Sequence, residues 1–299
     1  MTDSPAVPMS PPLWDGRSLL SLLPLQALGG DRFASCASDD NFNKRLYGGQ
    51  LLGQALMAAA YCAPVERRAH VLQAIFLRGA LPDQPLSFQV QRLLDGGRYS
   101  SRQVRVSQGE QAVLDAQVSF QITQDSPLHR QVDADAAPDP EALADMVDLL
   151  RESRRFDLST VPLIEKPCVE MRPVAPEQFL FVANRQPRQR FWLKLREPLG
   201  TDASAAMHGA AIAYLSDYFV TFCSYGVYTP MVGMRDYYVA SLNHGLWFHE
   251  PARGDDWLLF DCESPATGHG RGFATVKIFD RQRRLVASAT QQCTLGDRR

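Results

Sequence analysis

The stretch GGQLLGQALMAAAY at Gly48–Tyr61 decides the fold, because it consists of helix-compatible residues and contains no charge. A surface helix carries a polar face, so a helix that is apolar nearly all round must be buried on every side. A second stretch of the same character, GAAIAYLSDYFVTFC at Gly209–Cys223, carries Asp217 as its only charge. The sequence therefore predicts two central helices, and each needs something to wrap it.

Segments of alternating apolar and polar residues follow both stretches. In the first half they are Leu86–Gln91 and Leu114–Ile122, and in the second half Trp257–Cys262, Phe273–Phe279 and Leu285–Thr294. A period of two is typical of antiparallel strands with one solvated face. The predicted class is therefore α+β, built as a tandem repeat in which a long buried helix is followed by a curved antiparallel sheet, twice.

The repeat divides the chain into four predicted parts. Residues 1–18 form a flexible N-terminal segment, 19–124 the first unit, 125–165 a linker, and 166–299 the second unit. Within the linker, Leu143, Met146, Val147 and Leu150 recur at helical spacing. This spacing predicts a short amphipathic helix that docks on the surface, capped by Asp139 or a neighbour with Pro140 at its first position.

Composition excludes several classes of function. The 299 residues hold 31 Lys and Arg against 33 Asp and Glu, a net charge of −2, which gives no electrostatic footprint for nucleic acid. No apolar run approaches the roughly 18 residues that cross a bilayer, and the N-terminus has no basic secretory region, so the protein is predicted to be soluble and cytoplasmic.

Metal and cofactor motifs are also missing from the sequence. The six cysteines are scattered with no C-x-x-C pair, and no H-E-x-x-H occurs, so no metal is predicted. There is no Walker loop, no G-x-G-x-x-G after a strand and no G-x-S-x-G, which leaves no predicted cofactor and disfavours a serine hydrolase.

Three polar residues stand at predicted buried positions. Asp217 lies in the second apolar helix, Gln291 shares the inward face of the last strand, and Ser241 lies in a strand that follows the helix. At matching repeat positions, the first half has Met57 in place of Asp217 and Phe120 in place of Gln291. An ionised carboxylate in an apolar helix is costly unless it is hydrogen-bonded, so Asp217 is either a structural carboxylate or a base.

Seven motifs resemble the acyl-CoA thioesterase II family. They are YGGQLLGQAL at Tyr47–Leu56, FLRG at Phe76–Gly79, LLDGGRYSSR at Leu93–Arg102, YLSD at Tyr214–Asp217, SLNHGLWFH at Ser241–His249, RGF at Arg271–Phe273 and LVAS at Leu285–Ser288. They are collinear over about residues 20 to 295. The resemblance implies a double hotdog fold and the hydrolysis of fatty acyl-CoA thioesters to free fatty acid and coenzyme A, as part of fatty acid and lipid metabolism.

The resemblance also implies a catalytic group. Family members carry an Asp on the second central helix, a Thr or Ser on the following strand and a Gln on the last strand, which correspond here to Asp217, Ser241 and Gln291. These three are expected to hold one water, and Asp217 to take its proton. Two departures, Asn243 where Asp is usual and Glu250 where Arg is common, bear on substrate preference.

Binding of the acyl-CoA is assigned to a helix start and three arginines. Backbone N–H groups at Gly48 and Gly49 are expected to stabilise the oxyanion, since a helix N-terminus binds anions. Arg78, Arg98 and Arg271 are candidates for the phosphates of coenzyme A.

Two other readings remain open at this point. One is a non-catalytic acyl-CoA-binding module, and the other is a hotdog hydratase or dehydratase. The second would want a His beside the Asp, for which His208 and His244 are the candidates. Exposed sheet edges and the family resemblance predict a homo-oligomer.

Overall fold

A computed structural model describes residues 14–39, 44–132, 136–154, 166–184, 186–231 and 237–297 of the chain. Most of the predicted flexible segment 1–18 and the end of the predicted linker 125–165 lie outside these residues. The described part combines a large antiparallel sheet with buried helices, so the predicted α+β class is confirmed.

The elements of the first half and of the connection are as follows: α1 (Leu19–Leu22), β1 (Leu25–Gly29), β2 (Arg32–Ser35), α2 (Gly48–Tyr61), β3 (Arg68–Phe76), β4 (Ser87–Asp95), β5 (Tyr99–Gln108), β6 (Gln111–Gln121), a 3-10 turn (Pro140–Ala142) and α3 (Met146–Ser153). Those of the second half are β7 (Val169–Pro173), α4 (Pro176–Leu180), β8 (Arg188–Leu195), α5 (Ala205–Leu215), α6 (Phe222–Tyr225), β9 (Tyr237–Phe248), β10 (Leu258–Gly268), β11 (Arg271–Phe279) and β12 (Leu285–Asp297).

The twelve strands form one sheet in the order β1-β2-β4-β5-β6-β3-β9-β12-β11-β10-β8-β7. This order is symmetric about its centre, because each strand of the first half has a counterpart at the mirrored place in the second: β1 with β7, β2 with β8, β4 with β10, β5 with β11, β6 with β12 and β3 with β9. The two halves join where β3 pairs antiparallel with β9, with Gln73 opposite Gly245. The tandem repeat of the sequence is therefore a pseudo-two-fold arrangement in space.

The two central helices pack antiparallel against each other. A methyl group on Gly49 would lie 2.3 Å from the carbonyl oxygen of Tyr214, and one on Gly53 would lie 3.0 Å from that of Ala210. Glycine is needed at Gly49 because any side chain would separate the helices. Tyr47 strengthens the same contact, since its hydroxyl donates to the Tyr214 carbonyl at 3.0 Å. Both helices are covered by the sheet and by each other, which explains the lack of a polar face.

The predicted continuous helix at Gly209–Cys223 is wrong. α5 ends at Leu215 and α6 begins at Phe222, so Asp217 lies in the turn between them. The Ser216 hydroxyl lies 2.9 Å from the carbonyl oxygen of Ala213, a local bond that competes with the helix. Phe219 then takes a left-handed backbone with φ of 56°, which a continuing helix cannot accommodate.

The linker helix is shorter than its apolar spacing suggests. α3 begins at Met146, so Leu143 lies outside it, and the cap is Asp145, whose Oδ1 accepts from the Val147 N–H at 2.8 Å. The predicted cap, Asp139, instead precedes the separate 3-10 turn at Pro140–Ala142. Met146 and Leu150 of α3 are buried, as a docked amphipathic helix requires.

Candidate active site

Three sequence-distant side chains meet at one carboxylate. Ser241 Oγ donates to Asp217 Oδ1 at 3.0 Å, and Gln291 Nε2 donates to the same oxygen at 2.5 Å. Gln291 Nε2 also donates to Ser241 Oγ at 2.7 Å. The structure therefore brings the three predicted residues together. Their side chains hydrogen-bond directly to each other, whereas the sequence predicted that they surround a water.

The pairing of two strands explains why Ser241 and Gln291 meet. β9 and β12 are hydrogen-bonded neighbours, with Gln291 opposite His244 and Cys293 opposite Ser241. The register shifts between Gln292 and Cys293, so one extra residue separates the two pairs on β9. Such a bulge re-aims side chains, and it turns Ser241 and Gln291 toward the end of α5.

The N-terminus of α2 supports the same carboxylate from the other half. The Gly49 N–H donates to Asp217, and a methyl group on Gly48 would lie 2.6 Å from Asp217 Oδ2. The partial positive charge of a helix N-terminus favours an anion at this place. Gly49 was expected to hold the oxyanion, and its N–H is instead directed at the Asp217 carboxylate.

The pKa of the Asp217 carboxyl is raised from 3.8 to about 6, chiefly because burial removes it from water. The hydrogen bonds from Gln291, Ser241 and Gly49 act in the opposite direction, because each stabilises the charged form. A carboxyl with this pKa is mostly ionised at neutral pH and is a stronger base than an ordinary aspartate.

A buried histidine extends the cluster behind Gln291. His244 Nδ1 lies 2.9 Å from Gln291 Oε1, and His244 Nε2 lies 2.9 Å from Ser216 Oγ. Burial lowers the pKa of His244 to about 4, so its ring is neutral near pH 7. The sequence suggested His244 only as a neighbour of Asp217, whereas the structure places it against Gln291.

A buried ion pair lies beside the site. Lys166 pairs with Asp39, and its Nζ lies 4.7 Å from the centre of the Tyr47 ring. The positive charge of Lys166 also helps to lower the pKa of Asp217. Neither residue could be found from the sequence, because they are separated by more than a hundred positions and belong to no shared motif.

The three arginines lie at different distances from the cluster. Arg78 is exposed and follows Phe76, whose ring would contact a methyl group on Gly48 at 3.2 Å. Arg271 is exposed and begins β11, three positions before Ala274, the residue opposite Gln291. Along a strand this is about 10 Å.

Arg98 does not lie near the cluster. It occupies the turn between β4 and β5, where the neighbouring Arg102 donates to the carbonyl of Cys62 beyond the end of α2. The length of α2 separates this place from Gly48, about 20 Å at 1.5 Å per residue. Its predicted contact with a phosphate of coenzyme A stays a prediction.

The other half has apolar residues at the equivalent places. Gln291 lies opposite His244 in the second half, and Val118 lies opposite Leu72 in the first. Gln73 and Gly245 face each other at the centre of the β3–β9 pairing and are counterparts, so Leu72 corresponds to His244. The residue opposite Leu72, Val118, is therefore the structural counterpart of Gln291, and Phe120 is not. Counted from the helix starts, Asp217 corresponds to Ala60 and not to Met57. The first half therefore has no equivalent acid and amide.

The described ranges contain no cluster of His, Cys, Asp and Glu that could hold a metal ion. Within the same ranges, no helix is long and apolar enough to cross a membrane.

Family comparison matches both halves of the chain. Residues 38–121 match the family described as "Acyl-CoA thioesterase N-terminal domain", and residues 134–295 match "Acyl-CoA thioesterase C-terminal domain". The second match begins inside the predicted linker, so the C-terminal family domain includes α3.

Similar proteins cover nearly the whole chain. Acyl-coenzyme A thioesterase 8 of Mus musculus is 33% identical over 93% of this chain and 89% of its own length. A solved acyl-CoA thioesterase II from Mycobacterium marinum is 27% identical, covers 94% of this chain and 98% of its own, and superposes with a TM-score of 0.76. A hot dog fold protein from Alicyclobacillus acidocaldarius, 17% identical, covers 92% and 96% with a TM-score of 0.73. The predicted double hotdog fold is confirmed.

Proposed function

The chain belongs to the acyl-CoA thioesterase II family and hydrolyses acyl-CoA thioesters, and from that premise we propose that Asp217 is the catalytic base, held by Ser241 and Gln291. One observation carries the proposal. Two donors converge on Oδ1 of a carboxyl whose pKa is raised to about 6. The substrate we propose is a fatty acyl-CoA, and the products are free fatty acid and coenzyme A.

The arrangement divides the work between the two carboxylate oxygens. Ser241 and Gln291 both bind Oδ1 and fix the plane of the carboxylate. Oδ2 lies against Gly48 at the helix start, and there we place the attacking water. The sequence predicted that all three side chains contact the water. In this arrangement Ser241 and Gln291 instead act through Asp217.

Hydrolysis then proceeds in two steps. The water oxygen bonds to the thioester carbonyl carbon, its proton passes to Asp217 Oδ2, and the carbonyl electron pair moves onto oxygen. The tetrahedral intermediate collapses, the C–S bond breaks, and the coenzyme A thiolate takes the proton from Asp217. The thiolate is a good leaving group, so this route needs no covalent intermediate on the protein.

The start of α2 and two arginines complete the proposed site. The Gly48 N–H, at the first position of the helix, is the proposed donor to the oxyanion, since helix N-termini stabilise developing negative charge. Arg78 and Arg271 are both exposed near the cluster and are the proposed contacts of the coenzyme A phosphates.

The hydratase alternative wanted a His beside the Asp. The histidine in reach, His244, is separated from Asp217 by the Gln291 amide. His208 lies on the second turn of α5, toward the opposite end of that helix from Asp217, where its Nδ1 accepts from the Gly254 N–H at 3.3 Å. This geometry favours hydrolysis over dehydration.

Free-thiol release from a panel of acyl-CoAs of increasing chain length tests the proposal. Wild-type protein should release thiol, and Asp217→Asn should lose most of that activity while still binding acyl-CoA. Asp115→Asn, on the strand β6 of the other half, is the matched control and should keep wild-type turnover. Full turnover by Asp217→Asn would refute the role of Asp217.

Cellular location and assembly remain predictions. We propose a cytoplasmic enzyme of lipid metabolism that acts as a homo-oligomer, on the basis of the family and of the exposed strand edges. Cell fractionation tests the first, and size-exclusion chromatography with light scattering tests the second. A protein with the mass of one chain in solution would contradict the predicted assembly.

A further inference from the structure

We propose that His244 is a positioning residue for hydrolysis, because it fixes the direction of the Gln291 amide and thereby the protonation of Asp217. This inference rests on the proposed role of Asp217 as base. It assigns a function to a residue that contacts neither the carboxylate nor the place of the water.

The direction of the Gln291 amide matters because its two ends are opposite in chemistry. The Nε2 end has two N–H donors, and both are used, one on Asp217 Oδ1 and one on Ser241 Oγ. If the amide rotated by half a turn, Oε1 would lie against the carboxylate oxygen instead. Two acceptors cannot share a proton that neither carries, so the rotated amide is compatible only with protonated Asp217.

His244 holds the productive direction from behind. Gln291 Oε1 can only accept, and the atom 2.9 Å from it is His244 Nδ1, which must therefore carry the ring proton. In the neutral ring Nε2 is then an acceptor, and the hydroxyl group 2.9 Å from it belongs to Ser216. The direction of donation thus runs from His244 through Gln291 to Asp217.

Burial makes this series of hydrogen bonds costly to disturb. His244 and Ser216 are buried, and Gln291 is only 1% exposed. A buried amide oxygen without a donor is destabilising, so Gln291 needs the Nδ1–H of His244 to stay in this orientation. The Ser216 hydroxyl has one proton and two acceptors at 2.9 Å, the Ala213 carbonyl oxygen and His244 Nε2, so it donates to only one of them at a time.

Near neutral pH, Asp217 is the group whose protonation these hydrogen bonds control. The charged and titratable groups that face it are Lys166, Tyr47, Cys293 and, through Gln291, His244. Burial raises the pKa of Tyr47 and of Cys293 and lowers that of His244, so these three are neutral between pH 5 and 8. Lys166 is held by its ion pair with Asp39.

Loss of His244 should change the enzyme in a specific way. The hydrogen bond from Gln291 lowers the pKa of Asp217, so a disordered or rotated amide raises it. The acid limb of the kcat profile should move to higher pH by about 0.5 to 1 unit. The kcat itself should fall about 10- to 100-fold, as expected when a reacting group is slightly misplaced, while KM changes little.

Three variants test this, assayed with the acyl-CoA that the wild type cleaves fastest. His244→Leu should show the loss of kcat and the shifted limb. His244→Asn keeps a donor near the place of Nδ1 and should recover most of both. The control is His249→Leu, at the end of the same motif. His249 lies away from the cluster, and its Nε2 is 2.8 Å from Ser288 Oγ. This variant should behave as wild type.

The outcomes separate this inference from the proposed function. If Asp217→Asn is inactive but His244→Leu keeps the wild-type kcat and acid limb, only the inference about His244 fails. It also fails if His244→Asn is as impaired as His244→Leu. If Asp217→Asn retains activity, both proposals fall. Should His244→Leu not fold, His244→Phe, which keeps a ring and lacks the donor, takes its place, and an unmoved acid limb in that variant would overturn the inference.

Discussion

Replacing Asp217 with Asn should remove activity and make the protein more stable above pH 6. In the folded protein the pKa of this carboxyl is about 6, against 3.8 when it is solvated. The difference is about 2 units, and each unit corresponds to about 1.4 kcal/mol, so ionisation of Asp217 costs the folded state about 3 kcal/mol. An amide never ionises and does not bear this cost.

The pH dependence of the effect has a definite sign. A raised pKa means that the folded state holds its proton more tightly, so the contribution of Asp217 to stability is complete below pH 3.8 and is lost as the pH rises through 6. Asp217→Asn should therefore equal the wild type near pH 4 and exceed it at pH 8. The gain at pH 8 should be about 1–3 kcal/mol, which reflects the cost of ionising the buried carboxyl in the wild type.

Urea unfolding at pH 4, 6 and 8 measures this directly. Asp115→Asn serves as the control for a lost carboxylate outside the site and should show no comparable gain at pH 8. Thiol release from acyl-CoA, measured on the same samples, should fall about 10²- to 10⁴-fold in Asp217→Asn. An inactive variant that is no more stable than wild type at pH 8 would refute the argument that burial raises the pKa of this carboxyl.

Three further results are expected. Gly48→Ala should lower kcat at least about 10²-fold, because its methyl group would lie 2.6 Å from Asp217 Oδ2 and displace the carboxylate. Wild-type turnover by a folded Gly48→Ala protein would contradict the placement of α2 against Asp217. Met57→Asp should destabilise the protein by about 3–5 kcal/mol in urea unfolding, because it buries an unpaired charge, and it should create no second active site. An unchanged unfolding midpoint would show that Met57 is not buried. The kcat of the wild type should fall below about pH 6 as Asp217 takes a proton, and a rate that stays constant down to pH 4.5 would exclude Asp217 as the base.

Alternation and burial were sufficient to predict the repeat and the last strands of each half. β6, β11 and β12 are long, with one inward apolar face, and their alternation is easily read. The outer strands β1, β2, β7 and β8 gave no comparable signal, since they are short or lack a clean period of two. Their positions depend on pairing with distant strands.

The sequence predicted that Asp217, Ser241 and Gln291 lie together, but not how they contact each other. Family motifs pointed to Asp217, Ser241 and Gln291, and these side chains do meet. Their convergence on Oδ1 depends on the bulge in β9 and β12 and on the end of α5 at Leu215, which are tertiary effects. An alternating pattern looks the same after a shift of two residues, so Phe120 was taken for the counterpart of Gln291 in place of Val118.

Whether Gln291 and Asp217 act as one unit is the central claim, and a double-variant cycle on kcat/KM tests it. Gln291→Ala alone should cost about 10²- to 10³-fold, and Ser241→Ala less, since a water can partly replace a hydroxyl. Because Gln291 acts through Asp217, the double variant Asp217→Asn, Gln291→Ala should be scarcely worse than Asp217→Asn. If the two losses multiply instead, the residues act independently, and Gln291 does not work by holding the base.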